Sequence, residues 1–222
     1  EKAIYKREPE SLMSIVNLSR FALNENDTET AEEILNFILL NTRDLDLLID
    51  TNANLMQIKI DKAQEKDYGT ISAKLEELLK TYEITPFTLS LQLIQAHFVA
   101  FNLKKTEEGK AIVKKALELN LNDYQRADAK MELGDILLLE EKFNQALIYY
   151  SQIQLDLKND VMSHEASLKA AKTSYFKTDF EWALKQFKEL KSANTQLIAN
   201  DALEYFLLIN DNTVADSTQT AL

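Results

Sequence analysis

The sequence predicts an all-α chain, an α-solenoid built from antiparallel helix pairs. Three observations predict it. The 222 residues include only three Gly and two Pro. Turns at positive φ are therefore expected to be scarce, which argues against an all-β fold and against disordered linkers. Apolar residues recur at spacings of three and four nearly from end to end, as in Leu133, Ile136 and Leu137, or Ala183, Leu184, Phe187 and Leu190. No stretch alternates strictly enough to read as a strand. Finally, the pattern repeats. Ala171, Phe180, Ala183 and Phe187 stand 37 residues after Gly134, Phe143, Ala146 and Tyr150, while His97, Gly109 and Val113 stand 37 before Gly134, Ala146 and Tyr150. Weaker copies precede these: Ile71 with Leu75 lies 38 residues earlier, and Ala31 with Leu35 another 40 before that. A fixed period of this size marks stacked helix pairs.

Eleven helices are expected, at about 9–24, 28–41, 46–66, 69–82, 86–103, 106–119, 123–140, 143–157, 160–177, 179–191 and 195–210. Polar clusters separate them: Asn24 to Asp27, Lys66 to Gly69, Lys104 to Thr106, Asn120 to Asp123, Glu140 to Lys142, Asn159-Asp160, Thr178-Asp179 and Asn194-Thr195. Thr85-Pro86 reads as an N-cap followed by Pro at the first helical position, where a missing N–H costs nothing. Each cluster leaves only a short turn, so neighbouring helices run antiparallel. The pairs group into repeats at 9–42, 46–84, 86–121, 123–158 and 160–193, with a half repeat at 195–210, in a single domain spanning 1–222. Asp216-Ser217-Thr218 reads as the N-cap of one more helix just before Leu222, so a piece of a longer protein is expected.

The recurring residues have a packing reason. Gly134 stands where the second helix of its pair crosses the first closely. Ala146 is small for the same reason. Tyr150, one turn further along the same face, fills the space between repeats.

These residues resemble the tetratricopeptide repeat (TPR) family, whose pattern is a Leu-Gly pair in the first helix and Ala-x-x-x-aromatic in the second. Leu133-Gly134, Ala146 and Tyr150 carry the resemblance. It is good over 123–158, fair over 86–121 and 160–193, and weak before residue 85. The chain departs from the family at Lys130, where an aromatic usually opens the pattern, and in lacking a Pro after the second helix of that copy. Its period also exceeds the usual value of about 34. The resemblance implies a right-handed superhelix. The run KFNQALIYYSQIQLDLKND and its continuation are similar to large bacterial multi-repeat TPR proteins. That likeness implies no enzymatic activity, with the periplasm or cell envelope as the favoured compartment and the cytoplasm as the alternative.

In TPR arrays the first helices of the pairs line a concave face that binds partners. The resemblance therefore implies groove residues Ile94, Phe98, Phe101 and Asn102; Met131, Asp135 and Leu138; Leu168, Lys172, Tyr175 and Phe176; and Tyr205. Aromatic residues at helical spacing are also ordinary core, so Phe98, Phe101, Tyr175 and Phe176 fit inter-repeat packing as well. Chaperone-binding TPR domains grip a terminal carboxylate with Lys, Asn and Arg. Here one corresponding row holds Val16, Met56, Ile94, Met131 and Leu168, and the other holds Arg20, Ile60, Phe98, Asp135 and Lys172, so that clamp is not expected. Trp182 is expected to pack between repeats rather than stand as an exposed anchor.

Chemistry leaves few other marks. The net charge of −11 and the lack of a basic stripe argue against nucleic acid. No window approaches 18 continuous apolar residues, so no membrane insertion is expected. No Cys is present, which removes disulfides and thiolate chemistry. His97 and His164 stand apart from any second histidine at helical spacing, and neither a phosphate-cradling glycine loop nor a nucleophile elbow occurs. No cofactor and no metal are expected. Three functions are weighed. The first is a non-catalytic scaffold binding a protein or peptide, the second a peptide- or ligand-sensing regulator, and the third a helical enzyme acting on glycans. The repeat and the missing chemical motifs favour the first. The half repeat leaves an apolar face through which a homodimer could form.

Overall fold

The computed structural model describes residues 12–192 and 195–219, with side chains to Asn212. The described residues form eleven α-helices and no strand. They are α1 (Leu12–Asn24), α2 (Thr28–Asn41), α3 (Leu45–Asp61), α4 (Tyr68–Tyr82), α5 (Leu89–His97), α6 (Thr106–Leu117), α7 (Asp123–Leu139), α8 (Phe143–Asp156), α9 (Val161–Phe176), α10 (Phe180–Leu190) and α11 (Gln196–Gln219). Short 3₁₀ turns at Glu65–Asp67 and Pro86–Thr88 lead into α4 and α5, and a π turn at Phe98–Asn102 extends α5. Residues 9–11 of the expected first helix and Asn194 of an expected turn lie outside the described residues.

The described residues form two compact units that divide after Ile112, inside α6. In the first unit α1 packs on α2, α2 on α3, and α3 on both α4 and α5. In the second, each helix from α7 to α11 packs on the next, and the first helices also meet, α7 with α9 and α9 with α11. This is the all-α, pairwise-stacked architecture that the period predicts.

The repeat positions account for the packing. Ala31, Leu35, Ile71, Leu75, Val113, Ala146, Tyr150, Ala183 and Phe187 are all buried, and so is Gly109. A Cβ built on Gly134 would lie 2.5 Å from Cε1 of Tyr150, so only hydrogen fits beneath that ring. A Cβ on Gly109 would lie 2.8 Å from both the Ala100 Cβ and the Ala96 carbonyl oxygen. Gly69 has nothing within 4 Å.

Residues of the polar breaks cap the helices, and so does Asp44, which no expected break included. Asp27 accepts from the Thr30 N–H, Asp44 from Leu47, Asn122 from Gln125, Asp160 from Met162 and Asp179 from Trp182. Thr85 enters α5 through a capping box in which its N–H donates to Thr88 Oγ1 at 3.0 Å. The buried Gln92 completes this turn by donating to the Thr85 carbonyl at 2.9 Å.

Four expectations are corrected. Positive-φ turns are not scarce: Asn26, Glu83, Lys104, Glu141, Asn159 and Thr178 all adopt φ between 56° and 67°. Each follows a helix, where a left-handed residue turns the next N–H groups back onto the last carbonyls, as Lys142 N–H bonds the Leu137 carbonyl, and none is Gly. The break expected at Lys66–Gly69 falls earlier. Helix α3 ends at Asp61, and Glu65–Asp67 already begins the winding into α4. No new helix starts at Asp216–Thr218, because the backbone of α11 runs unbroken to Gln219. Trp182 is 53% exposed in the first turn of α10 rather than packed between repeats.

Candidate functional site

The second unit carries a groove on the side of its first helices. Asp135 and Leu138 come from α7, and Val161, Glu165, Leu168, Lys169, Lys172 and Phe176 from α9. Thr195 precedes α11, which adds Leu197, Ile198 and Asp201. The cavity volume is about 480 Å³. Residues 161, 165, 168, 169, 172 and 176 recur at helical spacing, so α9 turns one face into the cavity. Three large apolar side chains there keep much of their surface in solvent: Leu197 at 72%, Val161 at 60% and Phe176 at 49%.

Charged side chains tie the groove's helices together. Lys169 donates to both carboxylate oxygens of Asp135, at 3.0 and 2.7 Å. The hydroxyl of the buried Tyr150 donates to the same Asp135 at 2.7 Å. Burial and the Asp135 charge push the Tyr150 phenol well above its ordinary range, so it stays a donor. On the far side of α9, Lys172 donates to Asp201 at 2.8 Å and lies 5.3 Å from the ring centre of Tyr205. Tyr205 stacks on Phe187 at 5.1 Å and meets Tyr175 edge-on at 5.3 Å. Near the start of the two helices, Tyr124 donates to Asp160 at 3.1 Å. α9 is therefore bonded to both neighbouring first helices.

Of the sequence-predicted groove residues, Asp135, Leu138, Leu168, Lys172 and Phe176 line this cavity. Tyr175 and Tyr205 lie beside it, half-buried against the α9–α11 core. Met131 is buried, at 8% exposure, and is corrected to core. Phe98 is also corrected. It is 1% exposed, packed edge-on to Tyr68 at 5.4 Å in the core of the first unit. Ile94 borders that core half-buried, Phe101 stacks on His97 at 4.2 Å, and Asn102 closes the π turn half-buried. Sequence reasoning missed Val161, Glu165, Lys169, Leu197, Ile198 and Asp201. Extending the stripe of Leu168, Lys172 and Phe176 two turns back along α9 would have found Val161 and Glu165.

A second, polar cavity of about 410 Å³ lies among Gln154, His164, Ser167, Gln186, Glu189, Leu190 and Ser192. His164 Nδ1 is buried there without a hydrogen-bond partner among the described residues. Among those residues no group of three or more His, Cys, Asp or Glu could hold a metal ion, and no helix is long and apolar enough to cross a membrane.

No family model and no curated protein sequence matches the chain. Solved structures do share its fold. Bacillus thuringiensis PlcR, in complex with the peptide PapR7 and DNA, is similar at 10% identity and a TM-score of 0.65, over 95% of this chain and 74% of that one. BtubC (BKLC) from P. vanneervenii is similar at 16% identity and a TM-score of 0.55, over 96% of this chain and 86% of that one. A Podosopora anserina putative kinesin light chain with nearly identical TPR-like repeats is similar at 16% identity and a TM-score of 0.50, over 93% and 98%. Together with the packing of the helix pairs, these likenesses define the fold as that of a TPR-like helical-repeat protein.

Proposed function

We propose that this chain is a non-catalytic interaction module that takes a segment of a partner protein along the first-helix side of its second unit. The observation that carries this reading is the groove between α7, α9 and α11. There Val161, Phe176 and Leu197 gather exposed apolar surface around one cavity instead of scattering it. Asp135, Leu138 and Lys172 contact the segment, and Tyr175 and Tyr205 brace the wall beside it. Ile94, Phe101 and Asn102 form a separate proposed stretch in the first unit. The net charge of −11 makes a protein or peptide a better occupant than nucleic acid.

Selection of a displayed peptide library on the chain tests the reading. The native chain enriches a consensus, and a Leu138→Asp/Phe176→Asp variant of unchanged helicity does not. The same consensus from both proteins would move binding off the groove. A peptide-sensing regulator is the second reading, favoured by the likeness to PlcR, which was solved with a peptide bound. It predicts in addition that the selected peptide changes the radius of gyration in solution, whereas a passive scaffold keeps it constant.

A further inference from the structure

The charges lining the groove do not balance. Lys169 is committed to Asp135 and Lys172 to Asp201, each through an ion pair of 2.7 to 2.8 Å. Glu165 is the carboxylate left over. It is exposed, lines the cavity, and has no ion pair among the described residues. It stands one helical turn from Val161 and one from Leu168 on the same stripe of α9. Asp128 of α7, outside the cavity lining, is near enough to feel the Glu165 charge and is likewise without an ion pair among the described residues. The two carboxylates repel each other. Partial burial of its carboxyl, and then the charge of Glu165, hold Asp128 above the usual carboxylate range. Apolar surface thus adjoins negative charge that no ion pair among the described residues engages.

Building on the groove reading above, we infer that the occupant is a basic-apolar peptide segment. One aliphatic or aromatic side chain seats against Leu138, Leu168, Phe176 and Leu197, and a Lys or Arg within a few residues reaches Glu165 and Asp128. The apolar contact supplies the anchor. The cation relieves the repulsion between the two carboxylates and fixes the direction in which the segment lies. This is the reverse of a carboxylate clamp, because both lysines that could hold a peptide's carboxylate are already paired.

Three sets of capped octapeptides test this by fluorescence anisotropy on the full chain. Each carries a central Leu or Phe, flanked by Lys and Arg in the first set, Gln in the second and Glu in the third. The basic set is expected to bind about fivefold tighter than the Gln set at low salt, as suits one or two exposed ion pairs. The gap narrows at high salt. It closes in Glu165→Gln/Asp128→Asn, through loss of affinity for the basic set. Equal binding of the basic and Gln sets, or preference for the Glu set, overturns the inference. If all sets bind equally and Phe176→Asp abolishes binding, the charge inference alone falls. If no set binds, or binding survives Phe176→Asp, the groove reading falls with it. Concentration-dependent dimerisation abolished by Phe176→Asp would make a second copy of this chain the occupant and likewise overturn the inference.

Discussion

Single residues set the tolerances of this fold, and its three glycines do so unequally. Gly134 is sealed by the Tyr150 ring, whereas Gly69 in the first turn of α4 faces open space. Gly134→Ala is therefore expected to cost about 1–3 kcal/mol, because a rigid buried ring must move. Gly69→Ala is expected to gain about 0.5 kcal/mol from helix propensity. Thermal melts of the two variants check the contrast, and equal shifts would refute it. Asp128 supplies a test with a pH sign. Its folded-state pKa is raised, so the folded chain holds the proton more tightly than the unfolded chain. Stability is then lost as pH rises through the folded pKa. Asp128→Asn should raise the melting temperature at neutral pH, and the gain should fade below the ordinary Asp range. A gain equal at acid and neutral pH would show that charge is not the cause.

At the scale of elements, α9 is the piece on which the groove depends. Asp135 of α7 receives both the Tyr150 hydroxyl of α8 and the Lys169 ammonium of α9, so one carboxylate ties three consecutive helices. Tyr150→Phe removes one donor and leaves Asp135 satisfied by Lys169, at an expected cost of about 1 kcal/mol. Asp135→Ala strands a buried hydroxyl and costs more, about 2–3 kcal/mol. Combining the two should cost less than their sum, since the phenylalanine has no hydroxyl to strand. Denaturant unfolding of the three variants measures this. Additive losses would mean that the carboxylate does not couple the helices. None of this bonding was legible in the sequence. Asp135 and Lys169 lie 34 residues apart, and only the stacking of repeats brings them together.

For the whole molecule, the eleven helices were readable because their period is strong and their caps are chemically distinct. Asp27, Asp44, Asn122, Asp160 and Asp179 all cap where polar clusters interrupt apolar runs. Boundaries without such residues were misplaced. Lys62, Ala63 and Gln64 form the real break after α3, yet all three are ordinary helix formers. The groove was partly legible along α9, whose outer stripe stays distinct from its buried side. Along α5 it was not. Leu89, Leu91, Gln92, Ala96, Phe98, Val99 and Ala100 are buried nearly all round that helix and its π turn, so the spacing could not separate a binding face from core. Turn chemistry was misread because left-handed corners were expected to need glycine, and Asn, Glu, Lys and Thr form them here. Those corners carry a thermal sign. Strain at a left-handed side chain is held in the folded state and varies little with temperature. The same side chain stiffens the unfolded ensemble relative to glycine, and that entropic advantage grows in proportion to absolute temperature. Glycine-free corners at Asn26, Glu83, Lys104, Glu141, Asn159 and Thr178 thus weigh most against the cold chain and least against the warm one.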